Sequence, residues 1–397
     1  MKIKLILLII VISVLFTSCN AGPQISPQDT TLRDINTEES ENRENMIENT
    51  VPKTEPKTEP KTEAKPEPKP KPEPIGQRKI SAGDKSYFFG ISPTDSYEIS
   101  DEEWENYKLI GIKSLRIHLQ ASRSWDDYEE VLRRAAEEDI EVVMLVSYET
   151  YDSEAEDDDL GWGPILHFTN QLDLVNVLAE AIPHFKNWGV TAWEIWNEQN
   201  GMWNLRPKEY AALITEVYER CKYTDKWDEN AIIVFGGMDA VNVWFTDGVN
   251  YGSQQWLISF YKTEAYKTFK EKYGHSPFDV MAIHPYNTID TDENLDATMN
   301  DLKTAINGVV LKTMAKNGDE NMPVWITELG DQSEDDEKNA KILELYMKTA
   351  YEIPQVTRFH WFKYLYVGSN YSIVDQNGTP RPSLYAYAGV VKELTGK

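Results

Sequence analysis

From residue 87 onward, short apolar runs rich in valine, isoleucine and aromatic side chains alternate with longer stretches patterned as helices. Read as strands, the apolar runs lie at 87–92, 114–120, 141–148, 190–198, 231–238, 278–286, 323–329 and 357–365. The intervening helices are read from Asp101, at 125–138, 171–188, 207–223, 254–273, 296–316 and 335–352, and from about Leu384 to the end. Asp101-Glu102-Glu103 places carboxylates in a first turn, where the helix dipole favours them. Pro207 suits a first helical turn, whereas Pro183 is expected to kink or divide its helix. Strands alternating with helices over about 320 residues predict an α/β fold, a (β/α)8 TIM barrel in one domain. A doubly wound open sheet is the alternative, but no Gly-x-Gly-x-x-Gly turn follows an early strand.

Before residue 79 the pattern changes. Met1-Lys2-Ile3-Lys4 is basic and residues 5–16 are apolar apart from Ser13, too short for a comfortable membrane span. Residues 1–18 therefore read as a signal peptide. Phe16-Thr17-Ser18-Cys19 resembles a bacterial lipobox, which implies that Cys19 is lipidated and ties the protein to a membrane; ordinary secretory cleavage is the alternative. Residues 19–78 have almost nothing apolar to bury and read as a disordered linker. Lys-Thr-Glu-Pro repeats stiffen its later part, which at ~3.1 Å per residue would hold residues 79–397 roughly 70 Å from the anchor. The expected location is extracytoplasmic, at the cell surface or in the periplasm. Cys221 has no second cysteine to pair with once Cys19 is acylated, so no structural disulfide is expected.

Charge narrows the partners. With 40 basic and 66 acidic residues the net charge is −26, which excludes a phosphate-binding surface of the usual kind and so nucleic acid. The same balance weighs against strongly anionic glycans unless basic residues cluster locally. Paired cysteines and His-x-x-x-His are absent, and the acidic run 152–159 lacks the spacing of a calcium loop, so no metal and no cofactor are expected. A monomer is expected.

Chemistry concentrates in two stretches. Trp193-Glu194-Ile195-Trp196-Asn197-Glu198-Gln199-Asn200 begins as a buried strand and ends in carboxylates and amides. Val324-Trp325-Ile326-Thr327-Glu328-Leu329-Gly330 repeats the design on the seventh strand. A barrel gathers such strand ends around one pocket, so Glu198 and Glu328 are candidates to face each other there. Paired carboxylates are what cleavage of a glycosidic bond needs, one to protonate the leaving oxygen, the other to attack the sugar or activate water. Arg116, in an otherwise apolar strand, is the candidate for keeping Glu328 ionised. Tyr286 is a possible donor to Glu328, and His284 a partner of substrate or of Glu198; His118 is a weaker candidate, and His360 reads as packing. Glu194 reads as a structural ion-pair partner. Trp125, Trp162, Trp203, Trp244 and Trp361 are candidate sugar platforms, because flat rings cover the apolar faces of pyranoses.

These two stretches, with His284-Pro285-Tyr286, resemble the retaining glycoside hydrolases whose catalytic glutamates lie on barrel strands four and seven, family 39 first and family 5 next. The resemblance implies Glu198 as general acid/base, Glu328 as nucleophile, Asn197 as a ligand of the sugar 2-hydroxyl and Trp361 as the floor beneath the sugar at −1. It implies double displacement on a β-linked poly- or oligosaccharide. A non-catalytic glycan-binding lipoprotein on a decayed barrel is the rival, and the presence of both carboxylates weighs against it. Whether chains are cut internally or at their ends would depend on loops 149–168 and 239–252.

Overall fold

The computed structural model describes residues 80–151, 172–201, 205–239, 253–286 and 302–396. All belong to one compact unit, Glu67–Lys397. The expected signal peptide, Cys19 and the whole of the expected linker lie outside the described residues, as do Trp162, Trp203 and Trp244. Among the described residues, no helix is long and apolar enough to cross a membrane.

Eight strands close into a barrel: β1 (Phe89–Ile91), β2 (Ser114–His118), β3 (Glu141–Val146), β4 (Ala192–Asn197), β5 (Ile232–Asp239), β6 (Met281–His284), β7 (Val324–Leu329) and β8 (Val356–Trp361). Neighbours pair in parallel and in sequence order, and β1 closes on β8 through Gly90 opposite His360. The open-sheet alternative is thereby excluded. Most strands are shorter than the apolar runs that predict them.

Local chemistry explains the helix limits. Ser100 Oγ accepts from the Glu103 N–H at 3.1 Å and starts the helix Asp101–Ile110, and Gly111 ends it at φ 75°. The stretch expected as one helix over 254–273 is two, Ser253–Tyr261 and Glu264–Tyr273, because Thr263 caps the second. The helix Leu172–Lys186 runs unbroken through Pro183, which lies close enough to its end not to divide it. Within the expected helix 296–316, Thr304–Leu311 is π-helical and Lys312–Lys316 continues as α-helix.

Alternate strand residues fill the barrel. Val143, Ala192, Ile232, Val234, Val280, Ala282 and Trp325 form an apolar plug. At the N-terminal end of the strands, Arg358 makes a two-pronged ion pair with Glu141, at 2.5 and 3.2 Å. A larger apolar cluster packs the outer strand faces against the helices. The polar groups at the C-terminal ends therefore stand on a dry, rigid floor.

Candidate active site

One arginine organises the barrel mouth. Arg116, on β2, sends Nε to Glu194 Oε2 at 2.6 Å, Nη1 to Glu328 Oε1 at 2.5 Å, and Nη2 to Asn197 Oδ1 at 2.8 Å and Glu194 Oε1 at 3.3 Å. Its side chain is 5% exposed, so the guanidinium is desolvated and compensated by two carboxylates. Glu194 also accepts from Thr327 Oγ1 at 2.8 Å and from the Gly237 N–H at 2.9 Å. Burial alone would raise the Glu328 pKa. The charges of His284 and Arg116, with hydrogen bonds from Arg116 and Tyr286, outweigh it and hold this carboxyl below the usual range. Tyr286 Oη donates to Glu328 Oε2 at 3.2 Å, and burial beside Glu328 drives the phenol well above its ordinary value.

His284 lies between the carboxylates and is fully buried. Its Nε2 is 3.0 Å from Thr327 Oγ1; that hydroxyl donates to Glu194, so it accepts from Nε2–H. The other nitrogen, Nδ1, is left to share a proton with Glu198 Oε1, 3.0 Å away. Burial disfavours the imidazolium, but the charge of Glu328 and the bond to Glu198 outweigh it and raise the His284 pKa. A glycine makes room for this ring: a Cβ at Gly237 would stand 2.0 Å from His284 Nε2.

The end of β4 is bent to present its polar residues. Glu194 faces the barrel interior, yet Asn197, three residues on, reaches the same arginine. Strict alternation would turn Asn197 outward. Trp196 at φ 77° and Glu198 at φ 44° absorb the change in direction, and Trp196 is buried. The side chain of Glu198 is 18% exposed and that of Glu328 11%. Donor atoms of Glu198, His284 and Glu328 all lie within 4.8 Å of one another. Such a set could chelate a cation, but His284 is already bonded on both nitrogens and the Arg116 guanidinium sits against Glu328, which opposes a second positive charge there.

A cavity of about 530 Å³ opens over these groups, lined by Arg116, Asn197, Glu198 and Glu328 below and by residues following β1, β2, β3 and β8 around it. On one wall His118 is fixed between Glu149 Oε2, 2.8 Å from Nδ1, and Ser147 Oγ, 3.0 Å from Nε2. Ser147 is only 2% exposed, so this Ser–His–Glu chain orients a ring at the wall and does not offer a nucleophile.

Residues 178–387, more than half of the chain, match the family model described as glycosyl hydrolase catalytic core. The chain belongs to that family. This glycoside hydrolase resembles a family 39 glycoside hydrolase from the gut symbiont Bacteroides cellulosilyticus WH2 at 18% identity and TM-score 0.55, over 77% of this chain and 63% of that one. It therefore spans less than two thirds of that protein. A glucosidase from Croceicoccus marinus aligns at 13% identity and TM-score 0.57, over 81% and 69% of the two chains. A structure described as an endoglucanase aligns at 16% and 0.53, over 77% and 98%. At these identities the likeness shows the shared barrel fold. No curated protein matches the sequence.

Of the residues singled out in the sequence, Glu198, Glu328, Asn197, Arg116, His284 and Tyr286 come together at the barrel mouth. Two of them take parts different from sugar binding. Arg116 spends its donors on protein acceptors, and His284 has no surface on the cavity; both serve the carboxylates. Trp361 requires a correction. On β8 the interior-facing residues are Arg358, bonded to Glu141, and His360, bonded to Ser114. Trp361 has the opposite parity and is fully buried, with its indole N–H on Tyr371 O at 3.1 Å. It cannot floor a sugar, and Phe362 and Lys363 line the cavity instead. Trp125 packs against His184 and Phe185 with ring centroids at 5.0 and 5.5 Å. Glu149 opens the loop 149–168 expected to shape substrate choice; Ser147, Tyr97 and Lys363 were not anticipated as cavity residues, and their one signal is that each follows the end of a strand.

Proposed function

We propose that the protein is an extracytoplasmic retaining glycosidase acting on a β-linked poly- or oligosaccharide, with Glu328 as nucleophile and Glu198 as general acid/base. The observation that carries this reading is the closeness of the two carboxyls, whose donor oxygens lie within 4.8 Å. Double displacement places the pair about 5–5.5 Å apart, whereas an inverting pair stands about 6.5–9.5 Å apart to admit water. Their surroundings favour the same division of labour: Arg116 and Tyr286 hold the Glu328 carboxyl below its usual range, while Glu198, away from the arginine, is hydrogen-bonded to His284 at 3.0 Å.

In the first step a carboxylate oxygen of Glu328 bonds to the anomeric carbon. The bond to the leaving oxygen breaks as that oxygen takes the proton of Glu198. In the second step Glu198, now a base, takes a proton from water. The hydroxide so formed attacks the anomeric carbon, and Glu328 leaves as a carboxylate. The net change is addition of water across one glycosidic bond, and neither step needs a cofactor. Asn197 lines the cavity, which supports the role the resemblance implies for it, binding the sugar hydroxyl next to the reacting carbon. The lipobox-like sequence at Cys19 supports attachment of the enzyme to a membrane, with the barrel held out on its linker as a monomer. Proton NMR recorded during hydrolysis tests the stereochemistry: a β-linked substrate should release the β-anomer first, and initial release of the α-anomer would refute retention.

A further inference from the structure

Among the described residues, the cavity holds a cation with no counterion in contact. Lys363 follows β8 and lines the cavity, with Nζ 5.8 Å from the Phe362 ring centroid and 5.4 Å from that of Tyr366. The carboxylates nearest in influence are Asp95, Glu103 and Glu328, and none makes an ion pair with it. Each is taken up elsewhere: Asp95 by the Tyr97 N–H, Glu103 by the Thr94 N–H and Tyr107 Oη, and Glu328 by Arg116 and Tyr286. Burial pushes the Lys363 amine below its ordinary value, the direction expected when the charge lacks a partner.

A second orphan stands beside it. Ser92 ends β1 and is joined to the same segment by backbone bonds, its N–H to Trp361 O at 3.0 Å and its carbonyl to the Tyr364 N–H at 2.9 Å. Ser92 lines the cavity, and its buried hydroxyl has no hydrogen-bond partner among the described residues. Unpaired polar groups away from water are costly, and a half-buried amine and a buried hydroxyl on two segments joined by backbone bonds, both lining one cavity, mark where a ligand supplies the acceptor. A third donor, Arg123, lines the same cavity with its guanidinium 4.0 Å above the Tyr97 ring and, among the described residues, no carboxylate paired to it.

We propose that the sugar bound beside Glu198 and Glu328 carries a negatively charged substituent, a uronate carboxylate or a sulfate ester, received by Lys363 and Ser92 with Arg123 as a second cation on the wall. This deepens the glycosidase reading and rests on it. It also runs against the expectation drawn from net charge: the chain is acidic at −26 and Asp95 and Glu149 line the same cavity, but Lys363 and Arg123 supply local cations there.

The test is titration calorimetry of the full-length protein with three β-linked tetrasaccharides that differ at one sugar: glucuronate, 6-sulfated glucose or glucose. At least one charged probe should bind roughly ten- to a hundredfold more tightly than the neutral one, with the advantage shrinking as salt rises. Whichever charged arm binds identifies the substituent. Lys363→Gln should bring the charged-to-neutral ratio close to one, and Arg123→Gln should reduce it. If Lys363→Gln fails to fold, the wild-type ratio and its salt dependence decide. Equal affinity for charged and neutral probes, no binding of any, or a preference that survives Lys363→Gln would overturn the proposal. Binding needs no turnover, so a failure of catalysis shows separately, as charged-sugar binding without hydrolysis.

Discussion

Arg116 Nη1 lies 2.5 Å from Glu328 Oε1, a buried cation from the second strand resting on a carboxylate from the seventh. The contact spans the barrel mouth and helps hold the Glu328 carboxyl below the usual range. Arg116→Met should leave Glu194 and Glu328 buried without their cation, at a cost of ~3–5 kcal/mol to the fold, measured by urea denaturation. It should also free the Glu328 pKa to rise, so the acid limb of kcat/KM moves to higher pH. The sign follows from linkage. A carboxyl depressed in the fold stabilises above its unfolded pKa of about 4.3 and loses that contribution as pH falls through the folded value. The variant should therefore lose less stability than the wild type between about pH 4.3 and more acid conditions.

Gly237→Ala examines the packing behind the carboxylates. The new Cβ would meet His284 Nε2 at 2.0 Å, so the ring must move and its bonds to Glu198 and Thr327 must break. Overpacking of this kind costs ~1–3 kcal/mol. The expected result is a fall in kcat larger than the change in KM, with the melting temperature lowered.

His360 predicts acid lability away from the chemistry. It is buried in the barrel on Ser114 Oγ at 2.9 Å, and burial, with the charge of Arg116, depresses its pKa to about 3. Between the unfolded value near 6.5 and that folded value, the unfolded chain binds a proton that the fold does not. Stability should therefore fall as pH drops through this window, by at most about 1.4 kcal/mol per pH unit. His360→Asn should flatten the slope of unfolding free energy over the same range.

Glu198→Ala should slow hydrolysis of glycosides with poor leaving groups by ~10²–10⁴. Aryl glycosides whose leaving group needs no proton should form the covalent intermediate at a much smaller penalty. Steady-state and burst kinetics on the two substrate classes read the difference.

Much of the barrel was legible because parallel strands buried on both faces leave near-continuous apolar runs, as at Glu141–Val146 and Val324–Leu329. Glu198 and Glu328 were visible for the same reason, as carboxylates ending such runs. Trp361 was misplaced because one residue of parity turns a strand side chain from cavity to helix layer, and the sequence does not mark where β8 begins to alternate. The turn at Trp196 hid the opposite case, since a left-handed residue there brings Asn197 back to the interior. The Ser147–His118–Glu149 chain and Lys363 were obscure because they come from different strand ends, and only closure of the barrel brings them to one cavity.

The central claim is that Glu328 attacks the sugar. It is tested most directly by exposing the full-length protein to 2-fluoro-2-deoxy β-glycosyl fluorides, neutral and uronic, followed by intact mass spectrometry and peptide mapping. The account predicts one fluorosugar per chain, bonded to Glu328 and absent in Glu328→Gln. A sugar bonded to any other residue, or hydrolysis of the parent glycoside with no adduct formed from its fluoro analogue, would contradict it.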